Sequence, residues 1–107
     1  MKPTTYYIQT NRLDLLVEEF GVRLETLTLE DKYSLMAIIA STLFQHERNL
    51  YAYSLHDARR DFPYACTGRL IRAINILHNS EDCEIRALLE ALAAQIIAEG
   101  NNPGVTA

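Results

Sequence analysis

The sequence predicts a single all-α domain with a four-helix, bundle-like fold. The chain has 107 residues, which is the usual size of one domain. Its apolar residues recur mostly at intervals of three and four, the spacing of one helical face. The segment 29–61 contains neither Gly nor Pro, so nothing in it forces a helix to end. We therefore predict one bundle in which the longest helix occupies that segment.

The N-terminal quarter of the chain predicts an arm and one short helix. Residues 1–9 lack a helical period and are predicted to form an extended arm, with a frayed terminus as the alternative. A helix is predicted at 11–20, and Gly21 is the type of residue that ends a helix in left-handed conformation. Residues 22–27 alternate apolar and polar side chains, which predicts an extended connector against the core or an intermolecular strand in a dimer.

The second helix, predicted at 29–60, is the centre of the fold. Thr28 precedes Asp31 by three residues, a spacing that resembles a capping box. Apolar residues between 35 and 44 cover more than half of the helical circumference, which is typical of a buried helix. A membrane span needs about 20 such residues, and this run is half as long. A straight helix of about 30 residues is about 45 Å long, which is more than a four-helix monomer of this size can cover. We therefore expect a bend near Asn49 or a second subunit that covers the protruding end.

Two further helices, at 63–78 and 81–99, complete the predicted bundle. The first begins either at the start of this range, where its proline fits a first helical turn, or at Thr67. Asn79 tolerates the left-handed conformation after a helix, and Ser80 is the predicted cap of the last helix. A connection of two residues predicts that these helices form an antiparallel hairpin.

Composition narrows the class of protein. The apolar share of 49% and the charged share of 22% are ordinary for a globular protein. The N-terminus lacks an apolar leader pattern, so we predict a cytoplasmic protein. Residues 101–107 are predicted to be a disordered tail. Cys66 and Cys83 lack a C-x-x-C spacing and are predicted to be small buried side chains, with a disulfide as the alternative.

Motifs for catalysis or metal binding are not visible in the sequence. The residues His46, His56 and His78 are never three or four positions apart, and Glu-x-x-His does not occur. Neither G-x-S-x-G nor a glycine-rich phosphate loop is present. Cys66 near Arg69 is the remaining nucleophile candidate, although a structural thiol is the simpler role. We predict a protein that is not an enzyme and binds neither cofactor nor metal.

The distribution of charge indicates one surface. The whole chain has a net charge of −4, whereas residues 48–72 hold five Arg and two Asp, a net charge of +3. Tyr and Arg are typical of interface hot spots, and guanidinium groups bind carboxylates. We predict a regulatory or adaptor protein that binds an acidic protein partner through six residues: Arg48, Tyr51, Tyr53, His56, Arg59 and Arg60. The alternative is a solvated face with internal ion pairs such as Asp57–Arg60.

A second hypothesis is a dimeric DNA-binding regulator that uses the helix from Thr67. Arg69 and Arg72 would then contact the nucleic acid, in a layout that loosely resembles a helix-turn-helix. The turn is too long for that motif, and the net charge of −4 argues against nucleic acid as a partner. Self-association is predicted in either case, because a homodimer buries the apolar excess of the long helix.

Overall fold

Five helices build the described part of the chain, which is residues 11–21 and 23–100 of a computed structural model. They are α1 (Asn11–Phe20), α2 (Leu29–Glu47), α3 (Leu55–Asp61), α4 (Gly68–Leu77) and α5 (Asp82–Gly100). The all-α prediction is confirmed, whereas four helices were predicted and five are found. The predicted arm at 1–9 and the predicted tail at 101–107 lie outside the described residues.

The connection between α1 and α2 is folded into turns. Gly21 ends α1 with a φ of 97°, as predicted, and a Cβ at this position would collide with Glu25. The Leu24 N–H donates to the Gly21 carbonyl, and the Leu27 N–H donates to the Leu24 carbonyl. These turns replace the predicted extended connector. They still bury Leu24 and Leu27, so the predicted packing of this connector against the core is confirmed.

The predicted helix at 29–60 is two helices separated by a loop at 48–54. Asn49 follows the end of α2 with a φ of 67°, and the Leu50 N–H donates to the Gln45 carbonyl across the end of the helix. Ser54 then caps α3, and its hydroxyl accepts a hydrogen bond from the Asp57 N–H at 3.1 Å. The break therefore lies at the predicted position, but its sharpness was not predicted. It shortens α2 to about 28 Å.

The last two helices begin at caps that the sequence only partly indicated. Thr67 caps α4, and its hydroxyl accepts from the Leu70 N–H at 3.1 Å, which confirms the later of the two predicted starts. Asn79 adopts the expected left-handed conformation, with a φ of 67°. Ser80 is not the cap of α5, because the Glu84 carboxylate accepts from the Glu81 N–H at 3.0 Å instead. Because α4 begins after its cap at Thr67, the predicted start of that helix at residue 63 is wrong.

The second helix, α2, is the element on which the fold is organised. It packs against α3, α4 and α5, while α1 packs against α4. The main packing partner of α4 is α1, and that of α5 is α2. The two last helices therefore do not pack mainly against each other, as the predicted antiparallel hairpin would require. None of the helices in the described segments is both long and apolar enough to cross a membrane.

The cysteines differ from the sequence prediction. Cys66 is half-buried and Cys83 is exposed on the first turn of α5, and both are free thiols. Cys83 lies beside Asp82 and Glu84, the two acidic residues of that first turn. Cys66 packs partly against the core, so the predicted buried role is found in part for Cys66 but not for Cys83, and the alternative disulfide is not found.

Candidate functional site

Three of the six predicted partner-binding residues meet in one shallow depression. It has a volume of about 570 Å³ and lies between α3 and the loop that precedes it. We call it the tyrosine hollow, and its lining residues are Asn49, Leu50, Tyr51, Ala52, Tyr53, Asp57 and Arg60. Leu50 is 50% exposed and Tyr51 is 70% exposed, so the hollow presents large apolar surface to solvent.

Carboxylates compensate the positive charge in the tyrosine hollow. Arg60 Nη1 lies 3.0 Å from Asp57 Oδ1, and Arg60 Nε lies 3.6 Å from Asp61 Oδ1. The Tyr53 hydroxyl donates to Asp61 at 2.7 Å, and this bond raises the pKa of the phenol. The Asp57–Arg60 pair expected for a solvated face is confirmed. The hollow is therefore not a basic patch, since two carboxylates surround one guanidinium.

The other three predicted residues point elsewhere. Arg48 lies at the end of α2 with its guanidinium carbon 5.7 Å from the centre of the Phe44 ring. His56 and Arg59 do not line the hollow, and the His56 ring packs against His78 at a centroid distance of 4.5 Å. Burial, followed by the Coulombic effects of His78 and Arg59, lowers the pKa of His56. Chain folding thus divides the predicted surface in two.

His46 fixes the loop that forms the tyrosine hollow, a role that the sequence did not indicate. Its Nδ1 lies 2.8 Å from Asp82 Oδ1, and its Nε2 lies 2.6 Å from the Tyr53 carbonyl oxygen. Both ring nitrogens face acceptors, so only the imidazolium donates to both. Burial lowers the pKa of this imidazole, but the bonds to Tyr53 and Asp82 and the charge of Asp82 together raise it.

Replacing His46 by Gln is expected to lower the free energy of unfolding by about 1.5 kcal/mol at about pH 5.5, the contribution of hydrogen bonds from a charged group. The folded-state pKa lies above the unfolded value of about 6.5. The stabilisation by the charge is therefore fully present below about pH 6.5 and is lost as the pH rises through the folded-state pKa. Urea unfolding at about pH 5.5 and about pH 8.5 measures the change. An equal loss at both values would contradict a charged His46.

The two arginines of the DNA-binding hypothesis are engaged within the protein. Arg69 Nε donates to Asp31 Oδ2 at 3.2 Å, and Arg72 Nη1 pairs with Glu19. These contacts tie α4 to α2 and to α1. Both side chains remain at least half exposed, but each positive charge is balanced by a carboxylate. No contact in the described part of the chain favours a nucleic-acid surface.

A second, more enclosed cavity of about 200 Å³ lies behind the loop 51–55. His46 and Ser80 are among its lining residues, and the buried Ser80 hydroxyl has no hydrogen-bond partner among the described atoms. Within residues 11–21 and 23–100, no group of three or more His, Cys, Asp or Glu side chains is placed to hold a metal ion.

The fold and the tyrosine hollow define an all-helical, single-domain protein with an exposed aromatic surface beside one arginine. Comparison of the chain with models of known protein families, with curated proteins and with solved structures finds no match. The geometry of the described residues is therefore the basis for assigning a function.

Proposed function

We propose that the protein is a non-enzymatic regulatory or adaptor protein that binds a protein partner through the tyrosine hollow. The observation that carries this proposal is the exposure of Leu50 and Tyr51 beside the Arg60 guanidinium. Tyr and Arg supply much of the binding energy in protein interfaces, because a rigid aromatic ring and a planar guanidinium lose little conformational freedom on binding. As the sequence predicts, we place this binding in the cytoplasm.

The loop of the tyrosine hollow is held in place by four hydrogen bonds. The Tyr51 hydroxyl donates to the Asn49 side chain at 3.1 Å, and the Tyr53 N–H donates to the Leu50 carbonyl at 3.1 Å. His46 and Asp61 hold the two ends of Tyr53, its carbonyl and its hydroxyl. A partner therefore binds a surface that is already ordered, which reduces the entropy lost on association.

The charges around the hollow narrow the chemistry of the partner. The Arg60 side chain is 67% exposed, so its guanidinium can reach one carboxylate of a partner in addition to Asp57 and Asp61. A broadly acidic surface would be repelled by the two aspartates. We infer that the partner presents an apolar side chain that enters the hollow and one neighbouring Asp or Glu that reaches Arg60. Such a short-range contact makes affinity depend only weakly on salt.

Replacing Tyr51 by Ala, or Arg60 by Ala, is expected to weaken partner binding at least tenfold, the effect of removing an interface hot spot. The measurement is affinity capture from an extract of the source cells with quantitative mass spectrometry, followed by titration of the purified partner. Leu15→Ala and Arg86→Ala are the matched controls, because both alter exposed side chains outside the hollow.

The expected pattern is one partner that the wild type and both controls retain and that both hollow variants lose. Circular dichroism checks that every variant keeps its helical content. Capture that is equal for the wild type and the hollow variants, or the absence of any partner that distinguishes them, would contradict the proposed function.

A further inference from the structure

The outer face of α2 carries an apolar stripe that no other helix covers among the described residues. We call it the outer stripe, and its members follow one another at steps of four, four, three and four: Leu29, Tyr33, Ala37, Ala40 and Phe44. Tyr33 is 53% exposed and Phe44 is 60% exposed. The core face of the same helix, with Leu35, Ile38 and Ile39, lies on the opposite side. Two apolar faces on one helix indicate two packing partners.

The two ends of the outer stripe differ in shape. At the N-terminal end a depression of about 480 Å³ opens beside the stripe, and we call it the N-terminal hollow; its lining residues are Leu29, Glu30, Tyr33, Ser34, Phe62 and Tyr64. At the C-terminal end Phe44 projects as a large exposed ring. One end therefore offers an aromatic cavity, and the other end offers an aromatic side chain of a size that can fill it.

We propose that the outer stripe is the interface of a homodimer in which two α2 helices pack antiparallel and each Phe44 enters the N-terminal hollow of the other copy. Tyr33 and Phe44 are about 16 Å apart along the helix, and the midpoint between them falls between Ala37 and Ala40. A two-fold axis at that midpoint places Phe44 of one copy opposite Tyr33 of the other. The small side chains at the axis let the two helices approach closely.

Charged residues beside the stripe suit the same arrangement. Glu30 and Arg48 lie on one flank of the outer stripe, at opposite ends of α2. Residues on the same flank face each other in an antiparallel helix pair, so Glu30 of one copy lies near Arg48 of the other, and the contact forms twice. In a parallel pair the two copies of this flank lie on opposite sides of the interface, so Glu30 and Arg48 would not meet. The charges therefore favour the antiparallel orientation, in which Phe44 of one copy also faces the N-terminal hollow of the other.

The exposed area is sufficient for a reversible dimer. Four large side chains, Leu29, Tyr33, Phe44 and Tyr64, are between 37% and 72% exposed. If each has roughly 200 Å² of surface, two copies bury roughly 900 Å² through these residues, just below the roughly 1,000 Å² that is the lower limit for a specific interface. Contacts at Ala37, Ala40 and Arg48 add to this area. We expect a dissociation constant on the order of 10 µM.

Sedimentation of the full chain between about 1 and 300 µM is expected to show a monomer–dimer equilibrium with a dissociation constant on the order of 10 µM. Ala40→Glu puts two carboxylates near each other at the two-fold axis and is expected to weaken dimerisation at least tenfold, with unchanged helical content. Glu90→Arg alters an exposed position on α5 and is the control that leaves the equilibrium unchanged. A wild type that stays monomeric at about 300 µM would overturn the proposal, as would a dimer that Ala40→Glu does not affect.

A charge exchange tests the antiparallel orientation. Glu30→Arg and Arg48→Glu are each expected to weaken the dimer several-fold, since each creates two like-charge contacts. The double variant restores opposite charges at both contacts and is expected to recover most of the wild-type affinity. Failure of the double variant to recover any affinity would overturn the antiparallel arrangement.

Experiments can distinguish the dimer from another occupant of the outer stripe, and they can distinguish it from the proposed function. If residues 1–10 of the same chain covered the stripe, the mass would not depend on concentration, which counts against the dimer. The outer stripe and the tyrosine hollow share no residue, so Ala40→Glu tests the dimer and Tyr51→Ala tests partner binding independently.

Discussion

Replacing Asp31 by Ala is expected to lower the free energy of unfolding by about 3 kcal/mol, the effect of breaking a buried and hydrogen-bonded charge. Its carboxylate is 2% exposed and joins the N-termini of two helices. One oxygen accepts from the Thr67 hydroxyl at 2.8 Å, and the other accepts from the Thr28 N–H and from Arg69 Nε, each at 3.2 Å.

The substitution removes more than one helix cap. Thr67 uses its hydroxyl oxygen to cap α4 and its hydroxyl hydrogen to reach Asp31, so the caps of α2 and α4 form one chain of hydrogen bonds. Burial raises the pKa of Asp31, but the bonds from Thr67, Thr28 and Arg69 outweigh it and lower the pKa overall. The carboxylate is thus charged at neutral pH, and its loss leaves those donors without their acceptor.

Urea unfolding of Asp31→Ala and Asp14→Ala at pH 7 measures this effect. Asp14 is an exposed carboxylate in the first turn of α1, and its removal is expected to change stability by less than about 0.5 kcal/mol. Asp31→Asn keeps the shape and loses the charge, so an intermediate loss is expected. A deficit below about 1 kcal/mol for Asp31→Ala would show that the junction is replaceable by water.

Replacing Leu35 by Ala is expected to lower the free energy of unfolding by about 3 kcal/mol, within the range for cavities in well-packed cores. Leu35 is fully buried on the core face of α2, the helix that contacts α3, α4 and α5. The side chain thus fills space at the meeting point of several helices, and the surrounding structure has little freedom to collapse into the cavity.

Leu15→Ala is the matched control, because it makes the same chemical change at a side chain that is 49% exposed on α1. We expect it to change stability by less than about 0.5 kcal/mol. Thermal and urea unfolding at low protein concentration keep dimerisation out of both measurements. Equal losses for the two variants would contradict the placement of Leu35 in the core.

Several ends of the helices were predictable from short-range chemical signals. The spacing of Thr28 and Asp31 and the left-handed conformations of Gly21 and Asn79 depend on residues within a few positions of each other. Ser54 and Asp57 form the same kind of cap, yet it lay inside a segment with a continuous apolar period. That period favoured one helix, and the local signals at Asn49 and Ser54 instead divide the segment into two.

The candidate site was predictable in residue type but not in arrangement. Tyr51, Tyr53 and Arg60 are close in sequence and do meet in the tyrosine hollow. His56 and Arg59 are equally close in sequence, but they do not line the hollow, and the His56 ring packs against His78 instead. Since the sequence did not predict a separate α3, the division of the basic segment could not be predicted either.

The sequence by itself determined the helical class, the ends of α1, the start of α2 and the apolar character of α2 on two faces. Each of these depends on neighbours one to four residues apart, the range over which helical geometry and capping act. Only the tertiary structure decided which α2 face is core and which is the outer stripe. It also brought His46 to Asp82 and Asp31 to Thr67, both separated by 36 residues. Contacts of that kind depend on how the helices pack, and packing is a property of the whole chain.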